Sequence, residues 1–448
     1  MLSAVVVLAP LTATAETLTD AFISAYRNSN LLERNRAVLR AADEDVATAV
    51  ATLRPTLDFV TSFNYTDPAP GFGATGDDFS ATFSLVAQLV ILDGGQRNLQ
   101  VDLAKETVLA TREGLRNVEQ SVLLRAADAF FRVRSAQAFV DLRENNLRLL
   151  REELQAARDR FEVGEVTRTD VALAESRLAA ARSQLAASRG ELETAREAFR
   201  TAVGRYPGAL QLPARLPATA ENLDGAVSVA VRRHPEIRQA QREVTAADIG
   251  ARIAERAYGP DLSATARLSS TDGADETASV GLELRQPIYR GGRLAALERQ
   301  AVAQRDQARA NLHQTTLEVS ERVRVAWSNV QVARAQIRAT DQQIRAAEIA
   351  FEGTREEARL GARTTLDVLD AEQDLLDARA TRIDAVSQQY FAIYSLLSSM
   401  GLLTADHLNL GIPTYDPVAY YNAVESAPAR SSPQGERLDR VLRRIGRE

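Results

Sequence analysis

Residues 358–372 read ARLGARTTLDVLDAE, and residues 161–171 read FEVGEVTRTDV. In both stretches a helical pattern stops at one glycine, Gly361 or Gly164, which are 197 positions apart. The pattern restarts at Thr-x-x-Asp, the sequence of a helix N-terminus with a capping box. A helix, a glycine and a second helix at two equivalent places predict two helical hairpins.

The match between the halves extends along the chain. A period near 200 residues indicates a duplicated domain and not a solenoid. Equivalent residues of the two halves are 205 positions apart up to Pro55 and 197 positions apart from Gly94 onwards. The eight-residue difference predicts a shorter exposed loop in the second half. The matching residues include Pro55 with Pro260, Gly94-Gly95 with Gly291-Gly292, Asp170 with Asp367, and Gly204 with Gly401.

Two proline-free stretches precede the glycine turns. They cover 96–162 and 293–360 and contain one glycine each before the turn. At 1.5 Å per residue, each predicts a helix of about 100 Å, which is too long for a globular core. Shorter helices are predicted after the turns, over 166–203 and 364–400.

Alternating residues predict β-hairpins over 55–93 and 260–290. In 277–285, for example, Val280, Leu282 and Leu284 alternate with polar residues or glycine, so the strand has one apolar and one polar face. Four strands do not close a membrane barrel, whereas two, three or four chains would supply eight, twelve or sixteen. The alternative is a small β-sandwich whose apolar faces pack together.

The remaining segments complete the predicted organisation. Residues 1–15 end on Ala-Thr-Ala and are typical of a signal peptide, although a basic start is missing. The first repeat covers 16–204 and the second 222–401, and each begins with a helix. A Pro-rich linker (205–221), a segment over 402–426 and a disordered tail (427–448) make up the rest.

Composition excludes several function classes. The chain has 448 residues, a net charge of -6, no cysteine and three histidines that are far apart. We therefore expect no nucleic-acid binding, no metal site, no cofactor and no catalytic residues. Gly94-Gly95 and Gly291-Gly292 lack the Lys-Ser/Thr of a phosphate loop, and Trp327 is interpreted as a helix-packing residue.

With the strand-exit motifs QPIYRGG (286–292) and ILDGG (91–95), the duplicated pattern resembles the TolC-like outer-membrane channel-tunnel family over about 17–412. The resemblance implies a mixed α/β membrane protein: long α-helical hairpins and four strands per chain in a homotrimeric, 12-stranded barrel. It also implies an outer-membrane position in a Gram-negative cell. The implied partners are outer-membrane lipid, a periplasmic adaptor and an inner-membrane ABC or proton-driven pump.

The resemblance also implies roles for residues at the turns. Asp367 and Asp370 match acids that ring the periplasmic entrance, while Asp170 and Arg363 match a network that closes it. The other interpretation of the acids is that they complement the helix dipole. Ala358 replaces the family's aromatic residue, so the closing network would use Glu357 or Arg359 instead. The predicted adaptor-docking tips are Val163, Gly164, Leu360 and Gly361.

The expected function is an exit duct for type I protein secretion or small-molecule efflux, opened at its periplasmic end. The Pro-rich linker and residues 402–426 would form an equatorial belt. The alternative is a soluble periplasmic coiled-coil scaffold or adaptor, which the alternating strands disfavour. The sequence does not decide between protein and small-molecule cargo.

Overall fold

The computed structural model describes residues 16–66, 78–213, 216–271 and 276–445. The predicted signal peptide and the loops within both β-hairpins lie outside these ranges. The elements of the described residues are α1 (Leu18–Asn28), α2 (Asn30–Ala51), β1 (Thr56–Thr66), β2 (Asp78–Leu92), α3 (Gln96–Glu162), α4 (Arg168–Val203), α5 (Leu223–Arg233), α6 (Pro235–Arg256), β3 (Asp261–Thr271), β4 (Thr277–Arg285), α7 (Arg293–Arg359), α8 (Thr365–Ser399), α9 (Pro417–Val424) and α10 (Pro433–Ile445).

The chain divides into two compact units, and both long helices contribute to each. The first unit contains the described residues of Met1–Arg34, Arg116–Pro235 and Thr316–Thr414. The second contains those of Asn35–Leu115, Glu236–Thr315 and Tyr415–Glu448. The hairpin turns therefore belong to the first unit and the sheet to the second.

The four strands form one antiparallel sheet in the order β1-β2-β3-β4. Its register places apolar side chains in rows across all strands: Leu57 pairs with Ala87, Ala87 with Ala266, and Ala266 with Val280. Because side chains alternate between faces, one face is predominantly apolar, with Thr61 and Ser270 among its residues. Leu57 is 67% and Val280 is 85% exposed. The predicted fold class of long helices with four strands is confirmed, and the sandwich alternative is wrong because the two hairpins join edge to edge.

The helix that was predicted at the start of each repeat is in fact two helices. The first breaks at Ser29, whose backbone is extended, and the second breaks at His234. Pro235 is the first residue of α6, where a missing backbone N–H costs nothing because that group has no partner within the helix. A proline after an extended residue restarts a helix instead of continuing one.

The first unit has an aromatic core. Phe131 of α3 stacks on Tyr390 of α8 with ring centroids 5.2 Å apart, and Tyr394 lies 5.9 Å from the same ring. Phe22 of α1 meets Tyr394 edge to face at 5.7 Å. Aromatic pairs at these distances contribute about 0.5–1.5 kcal/mol beyond the area they bury. This cluster fixes α1 and α8 against α3.

The C-terminal tail over 427–448 differs from the predicted disorder, because it contains the helix α10. Pro433 opens α10, and Leu438 and Val441 line an apolar groove with Tyr415 and Tyr420. Apolar residues three or four apart make a helix amphipathic. The composition of 431–435 predicted a flexible tail, but the apolar period that follows allows α10 to pack.

The tail is also tied to the start of the sheet. Arg54, two residues before β1, donates from Nη1 to the carbonyl oxygen of Ala427 at 2.8 Å and from Nη2 to that of Ser426. In the first unit, the Pro-rich linker pairs with the N-terminal segment, since Glu16 and Leu210 form a parallel bridge. Both segments therefore make specific backbone contacts.

Gly401 generates a prediction on stability. Its φ is +75°, and a Cβ there would lie 2.8 Å from the Cα of His234. We expect Gly401→Ala to destabilise the protein by at least about 1–3 kcal/mol, the cost of left-handed backbone for a non-glycine residue. Gly353→Ala is the control, because Gly353 lies inside α7 with no atom within 4 Å and alanine favours helix by about 1 kcal/mol. Thermal unfolding followed by circular dichroism should give opposite shifts, and equal shifts would contradict the contact.

Candidate functional site

Both helical hairpins turn at a left-handed glycine. Gly164 has a φ of +79° and Gly361 a φ of +78°. After α3, the N–H groups of Gly164 and Glu165 donate to the carbonyls of Phe161 and Arg160 at 3.0 and 2.9 Å. Gly361 and Ala362 repeat this pattern after α7. This is a Schellman motif, which stops a helix and favours glycine at its left-handed position.

The tips of the hairpins carry exposed apolar side chains. Val163 is 71% exposed beside Gly164, and Leu360 is 86% exposed beside Gly361. The two predicted tips are therefore available for contact in a single chain.

Two of the predicted acids cap helices. Asp367 Oδ2 accepts from the backbone N of Thr364 at 2.9 Å and from its Oγ1 at 2.8 Å, and Asp170 forms the same box with Thr167. The backbone hydrogen bond from Thr364 holds the pKa of Asp367 below its ordinary value, and the Thr167 hydroxyl does the same for Asp170. Asp367 and Asp170 therefore each form a capping box at the start of a helix.

Asp370 has a different position. Its Oδ1 lies 2.8 Å from Nη2 of Arg177 on α4, so the pair joins the second hairpin to the first. The equivalent of Asp370 in the first repeat is Leu173, and that of Arg177 is Asp374. If the two repeats were exchanged, Leu173 would lie opposite Asp374 and no ion pair would form. The pair therefore distinguishes the first hairpin from the second.

The structure gives Arg363 and Asp170 separate partners, each within its own hairpin. Arg363 Nε lies 2.9 Å from Oε2 of Glu357, one of the two residues expected to replace the aromatic side chain. The other, Arg359, pairs with Glu356 at 2.7 Å. Within the described residues of this chain, the side-chain partners of Arg363 and Asp170 are Glu357 and Thr167, and their part in a network that closes the entrance stays a prediction.

Sequence reasoning missed the residues that join the hairpins below the tips. Glu372 of α8 is 4% exposed and its Oε1 accepts from Nδ2 of Asn146 on α3 at 2.7 Å. Arg355 of α7 lies 3.1 Å from Glu153 of α3. The only sequence signal was the duplication, because Glu372 matches Glu175 and Arg355 matches Arg158.

An apolar cluster accompanies these polar links. Ala358 is buried with Phe351 of α7 and with Val368 and Leu375 of α8. A small residue at this position lets the two helices of the second hairpin approach closely. The second hairpin is thus held internally by packing. Leu149 of α3 packs against the same cluster, so apolar as well as polar contacts join it to the first hairpin.

In the part of the chain that the structure describes, no three His, Cys, Asp or Glu side chains are placed to bind a metal ion. No helix within the same ranges combines the length and apolar character needed to cross a membrane.

The sequence profile of the outer membrane efflux protein family matches residues 24–205 and 226–402, which include both hairpins and all four strands. The chain belongs to this family. It is 35% identical over 423 residues to the outer membrane efflux protein BepC of Brucella suis, which covers 92% of this chain and 91% of BepC.

One further relative and one solved structure are similar to the chain over most of its length. The proteases secretion protein PrtF of Dickeya chrysanthemi is 27% identical over 406 residues, covering 85% of this chain and 87% of PrtF. The solved outer membrane protein VceC of Vibrio cholerae shares the fold, with a TM-score of 0.75 at 20% identity over 86% of this chain and 96% of VceC.

The link between Arg177 and Asp370 generates a prediction. Exposed ion pairs contribute about 0–1 kcal/mol, so Arg177→Ala should leave thermal stability almost unchanged. It should nevertheless loosen the second hairpin and raise the single-channel conductance of the purified protein in planar bilayers. Arg158→Ala removes the pair with Glu175 inside the first hairpin and is the matched control. Equal conductance of the two variants would show that the cross-hairpin pair has no such role.

Proposed function

We propose that three copies of this chain form the outer-membrane exit duct of a tripartite export system. The observation that carries this proposal is the sheet, which has an exposed apolar face and ends in two edge strands, β1 and β4. Four strands are too few to close, since single-chain outer-membrane barrels begin at eight. Pairing β1 of one copy with β4 of the next would close twelve strands.

The two faces of the sheet suit the two sides of such a barrel. Phe59 and Leu282, both 70% exposed, lie on the apolar face, which would contact lipid. Arg267 and Glu283 lie on the opposite face, where Glu283 pairs with Arg285 at 2.6 Å. Charged side chains there would line an aqueous lumen.

The helical hairpins would continue the duct into the periplasm. We place a periplasmic adaptor at the tips, because Val163 and Leu360 offer exposed apolar side chains beside rigid glycine turns. An inner-membrane pump, ABC-type or proton-driven, would supply the cargo through that adaptor. Gly361→Val would therefore impair adaptor crosslinking without affecting membrane insertion.

The cargo is either a secreted protein, as the name of PrtF indicates for that relative, or a small molecule carried by an efflux system, since the name of BepC indicates efflux for that relative. A strain that lacks this chain separates the two. Loss of one protein from the culture medium would identify a type I secretion duct, whereas increased sensitivity to toxic compounds would identify an efflux duct.

We propose further that Asp367 and Asp370 of three copies ring the narrow end of the duct. Two like charges 4 Å apart repel by about 1 kcal/mol in water and about 4 kcal/mol at an effective dielectric constant of 20. Six carboxylates would therefore bind cations, and multivalent cations best. The local partners of these acids, Thr364 and Arg177, leave part of each carboxylate exposed.

The barrel predicts different effects of arginine on the two faces. Leu282→Arg places a charge on the lipid face, at a cost of about 2–4 kcal/mol per chain near the bilayer midplane. Ser279→Arg places the same charge on the lumen face of the same strand and should be tolerated. Heat-modifiable oligomers in the outer-membrane fraction measure the outcome, and equal loss from both variants would refute the assignment of faces.

The acidic ring predicts a block by a trivalent cation. In planar bilayers, micromolar concentrations on the periplasmic side should block the cation-selective current. Asp367→Asn with Asp370→Asn should abolish the block while retaining an oxygen acceptor for the cap. Asp170→Asn changes the equivalent cap of the first hairpin and should keep the block. A block that survives in the double variant would leave these acids as helix-capping and pairing residues alone.

A further inference from the structure

The two halves of the chain use one pair of residues differently. Arg158 and Glu175 of the first repeat correspond to Arg355 and Glu372 of the second, at the common offset of 197. In the first hairpin the pair is closed, with Arg158 Nη2 2.6 Å from Glu175 Oε1. In the second hairpin both residues contact α3 instead. Arg355 and Glu372 thus contact the first hairpin, through Glu153 and Asn146, where Arg158 and Glu175 contact each other.

The residues on α3 explain this difference. Asn146 donates to Glu372, and Glu153 accepts from Arg355. Their equivalents in the second repeat are Gln343 and Ala350. Since Ala350 has no charge to offer Arg158, only one of the two arginines has an acidic competitor on the neighbouring hairpin.

Glu372 lies in a polar but incompletely satisfied environment. Its Oε2 is buried and, within the described residues, has no hydrogen-bond partner. Burial raises the pKa of Glu372 to about 7, the nearby Glu153 adds to this, and Asn146, Arg355 and Arg177 act in the opposite direction. A buried carboxyl with a free oxygen is much less costly when it is protonated.

A groove leads to this carboxyl. Its charged lining comes from Glu152 and Arg148 of α3 and from Arg379 of α8, beside Glu372 itself. Further charged groups that interact with Glu372 are Glu153 of α3, Arg355 of α7 and Arg177 of α4. Solvent can therefore supply or remove the proton without unfolding of the helices.

We propose that Arg355 and Glu372 form a two-position latch between the hairpins. When Glu372 is protonated it stays on Asn146, and Arg355 stays on Glu153. When Glu372 loses its proton, it leaves α3 and pairs with Arg355, as Glu175 pairs with Arg158. The latch rests on the proposed function, because release of the second hairpin would open the periplasmic end of the duct.

The direction of the pH dependence follows from proton binding. The latched state has a pKa of about 7 for Glu372, against an ordinary value of 4.5 in the released state. Between these values the latched state binds more protons, so latching is strongest at low pH and weakens as the pH rises towards 7. From pH 5.5 to 7.5 the equilibrium should shift towards release by about twentyfold per chain.

The chain contains no cysteine, so spin labels can be attached at Val163→Cys and Leu360→Cys on the exposed tips. Pulsed electron paramagnetic resonance on the purified full-length protein then reports the distances between labels at pH 5.5 and 7.5. An Arg177→Ala background removes a further ionic link, so that the released state is populated. We expect the long-distance population to grow with pH.

Three variants separate the latch from a general effect of pH. Glu372→Gln, which mimics the protonated carboxyl, should show the pH 5.5 distances at both pH values. Glu175→Gln is the matched control and should respond as the parent does. Glu153→Gln frees Arg355 for Glu372 and should increase the long-distance population already at pH 5.5.

The latch is overturned if the parent shows no pH response, or if Glu372→Gln retains it. The proposed function is tested separately by the outer-membrane fraction and by conductance. A pH response of the labels in a protein that neither inserts nor conducts would keep the latch and reject the duct. Normal conductance with unresponsive labels would do the reverse.

Discussion

A sheet with one apolar face and two open edges constrains everything else in this chain. In a bilayer, each unpaired backbone N–H or C=O at a strand edge costs several kcal/mol, so β1 and β4 require partner strands. The apolar side chains at Leu57 and Val280 similarly require lipid or another apolar surface. Neither requirement is met by one copy, and closure with further copies meets both. The sheet also fixes where the long helices start, because α3 begins shortly after β2 and α7 begins shortly after β4.

Comparison of the two repeats separates the residues that build a hairpin from those that distinguish one hairpin from the other. Where the repeats agree, as in the glycine turns and capping boxes, the residues build a hairpin. Where they differ, as at Asp370 and Leu173, they distinguish one hairpin from the other. The same division occurs in the second unit. Asp248 pairs openly with Arg309 at 3.0 Å, whereas its equivalent Asp43 is fully buried and burial raises its pKa to about 6.

Sequence reasoning was successful where the physical cause is local. A glycine that ends a helical pattern requires positive φ, and period-two alternation requires a strand, so turns and faces could be predicted. Partners could not, because Glu372 and Glu175 occupy the same motif and differ through residues of α3 such as Asn146, which is 226 residues away from Glu372 along the chain. The helix α10 was missed for a different reason. The period of Leu438 and Val441 was present in the sequence, but the Ser-Pro-Gly composition before it was given more weight.

The balance between packing and polar contacts explains how a closed end of the duct could open reversibly. Inside the second hairpin, Phe351, Val368 and Leu375 form an apolar cluster that is lost only by unfolding. Between the hairpins near the tips lie an exposed ion pair, a partly exposed ion pair, one buried amide–carboxyl bond and the packing of one partly buried residue of α3, Leu149, on that cluster. Each exposed pair contributes about 0–1 kcal/mol. A partner that favours the open form by a few kcal/mol can therefore separate the hairpins near the tips, while the contacts of Phe131 with Tyr390 and Tyr394 join α3 to α8 farther along the helices.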